Sequence, residues 1–71
     1  GPAAIPELSP QENNLLREIG TGASVKEAAE RIGVTYATAR TYMRHIYAKL
    51  NVQNQVQAVR RLFNFDPPAR P

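Results

Sequence analysis

Arg40 and Arg44 stand four residues apart with Thr41 beside them, inside the run Thr35 to Leu50 that reads T-Y-A-T-A-R-T-Y-M-R-H-I-Y-A-K-L. The run is the longest stretch of the chain that reads at helical period without glycine or proline. At about 100° per residue, Ala39, Tyr42, Ile46 and Leu50 share one side of such a helix, and Ala37, Arg40, Thr41, Arg44 and Ala48 share the other. The second side has no acid and no large apolar group. Two small alanines flank two guanidinium groups and a hydroxyl, so the face is slim enough to approach another surface and carries long planar donor arms to reach into it. The chemistry of such a face is recognition through hydrogen bonds and charge.

Covalent chemistry finds little support. His45 is the single imidazole in a chain without cysteine. With no acid in its half of the sequence and no G-x-S-x-G elbow to serve, it reads as a phosphate-side or solvated histidine. A zinc site of the usual ligand types cannot be assembled, and no cofactor or small-molecule site is expected. Gly20 and Gly22 lack the G-K-[ST] ending and the preceding strand of a phosphate-binding loop, so they read as helix stops. Tyr36, Tyr42 and Tyr47 could stack on single-stranded bases. The helical wheel puts them on or beside the apolar side instead, Tyr42 in the core and Tyr36 and Tyr47 half-buried.

Charge is divided unevenly along the 71 residues, whose net charge is +3. Residues 1–30 hold five acids (Glu7, Glu12, Glu18, Glu27, Glu30) against Arg17 and Lys26; residues 31–65 hold six bases (Arg31, Arg40, Arg44, Lys49, Arg60, Arg61) and no acid. That asymmetry marks a surface for a polyanion, or else a well-solvated basic face. No apolar run reaches membrane-spanning length and no signal peptide is visible, so a soluble, cytoplasmic protein without a membrane partner is expected. A chain this short makes one small domain held by packing alone.

The elements that must position the arginines follow from local signals. Residues 1–7, with two prolines and no period, read as a linker or arm; 8–65 read as the domain; 66–71, again proline-rich, as a disordered tail. Ser9-Pro10-Gln11-Glu12 is a capping box opening a helix over 10–19, stapled by Leu8 and carrying Leu15, Leu16 and Ile19 inward. Ser24-Val25-Lys26-Glu27 repeats the box for a helix over 25–32. Gly33 stops that helix, Val34 plugs the turn, and Thr35 caps the next helix over 36–50. The small Ala29 and Ala39 let these two helices approach closely, which is the spacing of a helix-turn-helix. Asn51 ends the third helix, and Asn54 with Gln57 opens a fourth over 55–65. The expected fold is an all-α four-helix bundle with a central helix-turn-helix.

The blocks L-S-P-Q-E, G-x-S-V-K-E-A-A-x-x-I-G-V-T, T-A-R-T-Y, I-Y-A-K-L-N-V and Q-V-Q-A-V occur in this order and spacing. Through them the chain resembles the LuxR/FixJ family of bacterial DNA-binding domains from Leu8 to about Leu62. The resemblance implies that the third helix enters the major groove of double-stranded DNA and that the fourth joins two copies across a twofold axis. It puts Arg40, Thr41 and Arg44 at base edges, and Lys26, Thr35, Thr38, His45, Lys49, Gln53, Asn54 and Gln55 near phosphates. Arg40 and Arg44, one turn apart, would then be bidentate readers of guanine. Gln11, Asn14 and Gln55 stand where family members often carry charge, which weakens one phosphate contact near Gln55. Ala28 and Ala39 replace larger branched residues and Tyr42 a histidine, a repacking at conserved volume.

On the fourth helix Ala58, Leu62 and Phe65 form a stripe suited to the core. Val56, Val59 and Phe63, with Arg60 at the rim, form a second stripe suited to a partner copy, unless one broad core face takes both. The function expected is regulation of bacterial transcription by sequence-specific DNA binding, with no reaction catalysed, as the output domain of a larger regulator. The alternative from another class is a helix-turn-helix interaction module whose basic face meets RNA polymerase or another acidic protein.

Overall fold

The structure, a computed structural model, describes residues 4–65, the side chain of Phe65 excepted. The expected tail over 66–71, the first three residues of the arm and the inward placing of Phe65 lie outside the described residues. Four helices make up the fold, α1 (Pro10–Gly20), α2 (Val25–Ile32), α3 (Tyr36–Leu50) and α4 (Gln55–Phe65), with no strand among the described residues.

Each boundary has a local cause. At α1 the Ser9 hydroxyl accepts the Glu12 N–H at 3.2 Å while the Glu12 carboxylate accepts the Ser9 N–H at 2.9 Å, and Pro10 occupies the first helical position. The helix runs one residue past the expected 19, and the chain turns away through Gly22 at φ 104°. Ser24 and Glu27 form the same reciprocal pair for α2. Its end is a Schellman motif: Gly33 is left-handed at φ 82°, and the Val34 N–H donates to the Ala29 carbonyl at 3.0 Å. α3 closes in the same manner, with Asn51 left-handed at φ 55° and the Val52 N–H donating to the Tyr47 carbonyl at 3.0 Å. At α4 the Asn54 side chain accepts the Gln57 N–H at 2.9 Å, while the Gln57 side chain reaches back to the N–H of Gln53, one residue before the cap.

The core gathers Leu15, Leu16 and Ile19 of α1, Ala28 and Ala29 of α2, Ala39, Met43, Ile46 and Leu50 of α3, and Ala58 and Leu62 of α4. Ala29 and Ala39 are 1 % and 0 % exposed, as the close approach of α2 and α3 requires. Gly20 has a comparable role: a Cβ there would lie 3.3 Å from Leu62 Cδ2, so α1 can approach α4 because it ends without a side chain. Val59 packs against the core from the edge of α4, whereas Val56 and Phe63 are 66 % and 53 % exposed.

Three placements differ from the sequence reading. Met43, not Tyr42, fills the buried seam of α3; Tyr42 is half-buried against it. The buried positions 39, 43, 46 and 50 alternate steps of four and three, and Tyr42 falls one step to the side of that line. Tyr36, expected half-buried, is 51 % exposed. Ile5, read as part of the arm, is fully buried. Asn13 holds it there, accepting the Ile5 N–H at 2.8 Å and donating to the carbonyls of Ile5, Leu8 and Ser9. Those bonds satisfy the backbone of an irregular segment that could not otherwise enter the core.

Candidate nucleic-acid interface

Only Gly33, Val34 and Thr35 separate α2 from α3. The left-handed glycine reverses the chain, and the Thr35 hydroxyl accepts the Thr38 N–H at 3.1 Å, so α3 starts without slack. Its orientation is set by the packed alanines of α2 and α3 and by Met43, Ile46 and Leu50 beneath. On its outer side α3 shows Ala37, Arg40, Arg44 and Ala48 exposed and Thr41 half-buried. All five residues of the expected working face are therefore on one accessible surface, and none is acidic.

The three expected base readers differ in their surroundings. Arg40 holds its guanidinium over the ring of Tyr36, 5.9 Å from the centroid, near the outer limit of a cation–π contact. Arg44 makes no side-chain hydrogen bond or ion pair among the described residues. The Thr41 hydroxyl donates to the Ala37 carbonyl at 3.2 Å, which leaves its methyl and lone pairs for an incoming surface. Beside this face an open cleft of about 180 Å³ is lined by Val25, Tyr36, Arg40, Met43, Arg44 and Tyr47.

The residues expected near phosphates fall into three groups. Lys26 is exposed on the first turn of α2 without a side-chain partner among the described residues. Thr35 donates to the Thr38 hydroxyl at 3.0 Å, so Thr38 keeps a hydrogen to donate outward. Gln53, Asn54 and Gln55 form the exposed turn before α4, where Asn54 uses only its side-chain oxygen in the cap. Lys49 and His45 differ, because both face Glu12: Lys49 Nζ lies 2.8 Å from one carboxylate oxygen and His45 Nδ1 3.7 Å from the other.

Glu12 is 3 % exposed and also serves the Ser9 cap. Burial pushes its pKa up and is the largest single effect; the Lys49 hydrogen bond, the Ser9 N–H, the Lys49 charge and the Ser9 hydroxyl together outweigh it, leaving the carboxyl below its ordinary 4.5. The Ser24 N–H and hydroxyl likewise lower Glu27. The capping role of Glu12 is legible from four adjacent residues. Its pairing with a lysine 37 residues away has no sequence signal.

Tertiary contacts thus redistribute the charge of the basic half. Arg31 pairs with Glu18 at 3.2 Å, Lys49 with Glu12, and Arg61 donates to the Leu50 carbonyl at the C-terminal end of α3, where a cation is favoured. Arg40 and Arg44 on the outer face of α3, like Arg60 on α4, remain without an acidic partner among the described residues, so α3 carries two unpaired positive charges on one side. Among the described residues no group of three metal-ligating side chains comes together and no helix is long and apolar enough to cross a membrane.

The family model described as bacterial regulatory proteins of the luxR family matches residues 6–62. The chain is 41 % identical over 54 residues to a probable HTH-type transcriptional regulator, GfsR of Streptomyces halstedii, a match covering 76 % of the chain and 22 % of that protein. It is 38 % identical over 53 residues to the transcriptional regulatory protein MctR of Rhizobium johnstonii, covering 75 % and 25 %. With the transcriptional regulatory protein LnrK of Bacillus subtilis it shares 33 % over 57 residues, covering 80 % and 26 %. The chain therefore spans about a quarter of the length of these relatives. No solved structure gives a significant match.

Proposed function

The chain belongs to the luxR family of bacterial regulatory proteins and is a helix-turn-helix domain of the DNA-binding, transcription-regulating kind; from that premise we propose that it reads duplex DNA with α3 in the major groove. The observation that carries the reading is the exposed, acid-free face of α3, on which two arginines one turn apart stand clear of any carboxylate among the described residues. Arg40 and Arg44 address guanine O6 and N7 in bidentate fashion, and the Thr41 methyl meets an apolar edge such as a thymine methyl. Lys26, Thr38 and the turn of Gln53, Asn54 and Gln55 hold the flanking phosphates, which set register rather than sequence. Thr35, His45 and Lys49 border this surface, the last two tied to Glu12.

Two copies pair on DNA through α4, with Val56, Phe63 and Arg60 outward and Val59 beneath them. The exposure of Val56 and Phe63 supports this, because a lone domain leaves both in water. The preferred site is then an inverted repeat with half-sites about one DNA turn apart. The protein acts by binding in the bacterial cytoplasm and catalyses no reaction. It is the output part of a longer regulator, as its span of about a quarter of the relatives' length supports.

Selection of bound sites from a random duplex pool tests the reading. A guanine-containing inverted repeat is expected, and Arg40→Ala or Arg44→Ala should cost about 1–3 kcal/mol and relax preference at particular base pairs. Either variant binding selected and scrambled DNA with the wild-type ratio would show that α3 does not read the bases through that residue.

A further inference from the structure

We infer that Tyr36 is a specificity-determining positioning residue, whose exposed ring holds the Arg40 guanidinium in place for base readout. The inference rests on the proposed reading of α3 and adds to it a residue with no base contact of its own.

Three observations carry it. Tyr36 is the first residue of α3, locked by the Thr35 cap one position before it, so its ring projects from backbone that cannot drift. Side chains on a helix lean toward its N-terminus, and Arg40, one turn on, therefore lies back over that ring, at 5.9 Å from its centroid. Finally, Tyr36 is 51 % exposed and lines the open cleft together with Val25, Arg40, Met43, Arg44 and Tyr47, so it is not a residue of the core.

The contrast with Arg44 shows what the ring does. Both arginines line the same cleft, yet the approach of Arg40 to Tyr36 is the one cation–π contact among the described residues. A free arginine samples many rotamers and must lose them on docking; one resting on an aromatic face has lost part of that freedom beforehand and meets its base with the fork already oriented. The Arg40 guanidinium makes no hydrogen bond or ion pair among the described residues, so its donors stay open to a base. Discrimination at the base pair read by Arg40 should therefore depend on Tyr36, and discrimination at the pair read by Arg44 should not.

The experiment compares wild type, Tyr36→Leu and Tyr36→Phe on the selected duplex and on duplexes altered one base pair at a time, each also in an Arg40→Ala background. Circular dichroism melts report whether each variant is folded. Leucine keeps apolar volume without a π face, and should lower discrimination at the Arg40 base pair by about two- to five-fold, the size of an exposed cation–π contact. Phenylalanine should preserve discrimination, and in the Arg40→Ala background leucine should add nothing. An equal loss at every base pair in both variants identifies the phenol hydroxyl as a direct phosphate contact and overturns the inference. So does an unchanged ratio in folded Tyr36→Leu, or a loss that persists without Arg40. If both variants fail to fold, Tyr36 is a structural residue and the inference is likewise overturned. A wild-type protein with no base preference removes the proposed reading of α3 itself, an outcome distinct from a discriminating wild type matched by its leucine variant.

Discussion

Lys49→Met separates the structural from the DNA-contacting role of a lysine that the family resemblance puts beside phosphates. In the fold its ammonium lies 2.8 Å from a Glu12 carboxylate whose side chain is 4 % exposed. Methionine keeps the apolar stem and removes the charge, leaving the carboxylate with the Ser9 N–H at 2.9 Å and, farther off, His45 Nδ1 at 3.7 Å. Breaking a buried ion pair by removing one partner costs about 3–5 kcal/mol. Here the lysine side chain is 42 % exposed, and water can replace part of what it supplied, which reduces the expected loss to about 1–3 kcal/mol. For a domain of this size about 2 kcal/mol lowers Tm by roughly 8–16 °C. The sign with pH follows from Glu12, whose folded pKa is lowered from 4.5. Its contribution is present in full above 4.5 and is lost as pH falls through the folded value, so the gap between wild type and variant should be widest at neutral pH and close on acidification. Thermal melts monitored by circular dichroism across pH measure this, and salt titrations of DNA binding complete the test. The variant should keep the wild-type slope of log affinity against log salt, because an ammonium already paired with a carboxylate releases little counterion. An unchanged Tm at neutral pH together with a slope reduced in magnitude by about 0.9 would assign Lys49 to a phosphate and refute the argument.

Phe63→Asp should leave the monomer folded and half-site binding nearly intact while abolishing cooperative occupation of the full inverted repeat; titrations on both duplexes check it, and undiminished cooperativity would move any pairing surface elsewhere. Asn13→Ala should destabilise by about 1.5–3 kcal/mol at most, because the chain can either leave the Ile5 N–H unpaired or release Ile5 and forfeit its burial, and takes the cheaper course. Urea denaturation gives the loss, and faster hydrogen exchange at the Leu8 amide, which bonds the Ile5 carbonyl at 3.1 Å, identifies release as the course taken. Gly33→Ala should cost about 1–2 kcal/mol from backbone strain alone, since φ is +82° and a Cβ there meets nothing within 4 Å; a neutral result in chemical denaturation would mean the turn can relax.

The helix boundaries were legible in the sequence because each is made by residues close along the chain. The boxes at Ser9 and Ser24, the Thr35 cap and the left-handed Gly33 and Asn51 need partners only three to five residues away, and any chain carrying those residues meets them as soon as a turn forms. The working face of α3 was legible for the same reason, since a helix converts the spacing of Arg40, Thr41 and Arg44 directly into a shared side. The seam under α3 was not, because Tyr42 and Met43 flank the line through Ala39, Ile46 and Leu50 on opposite sides, and the packing of the other helices decides which turns inward. Nor were the partners of Glu12 and Asn13: Lys49 is 37 residues from Glu12, and Ile5 lies in a segment with no period of its own. Pattern along a chain records which side a residue faces within its own element. Which buried charge meets which cation, and how much of the basic half stays unpaired for DNA, is settled only when the helices are packed against one another.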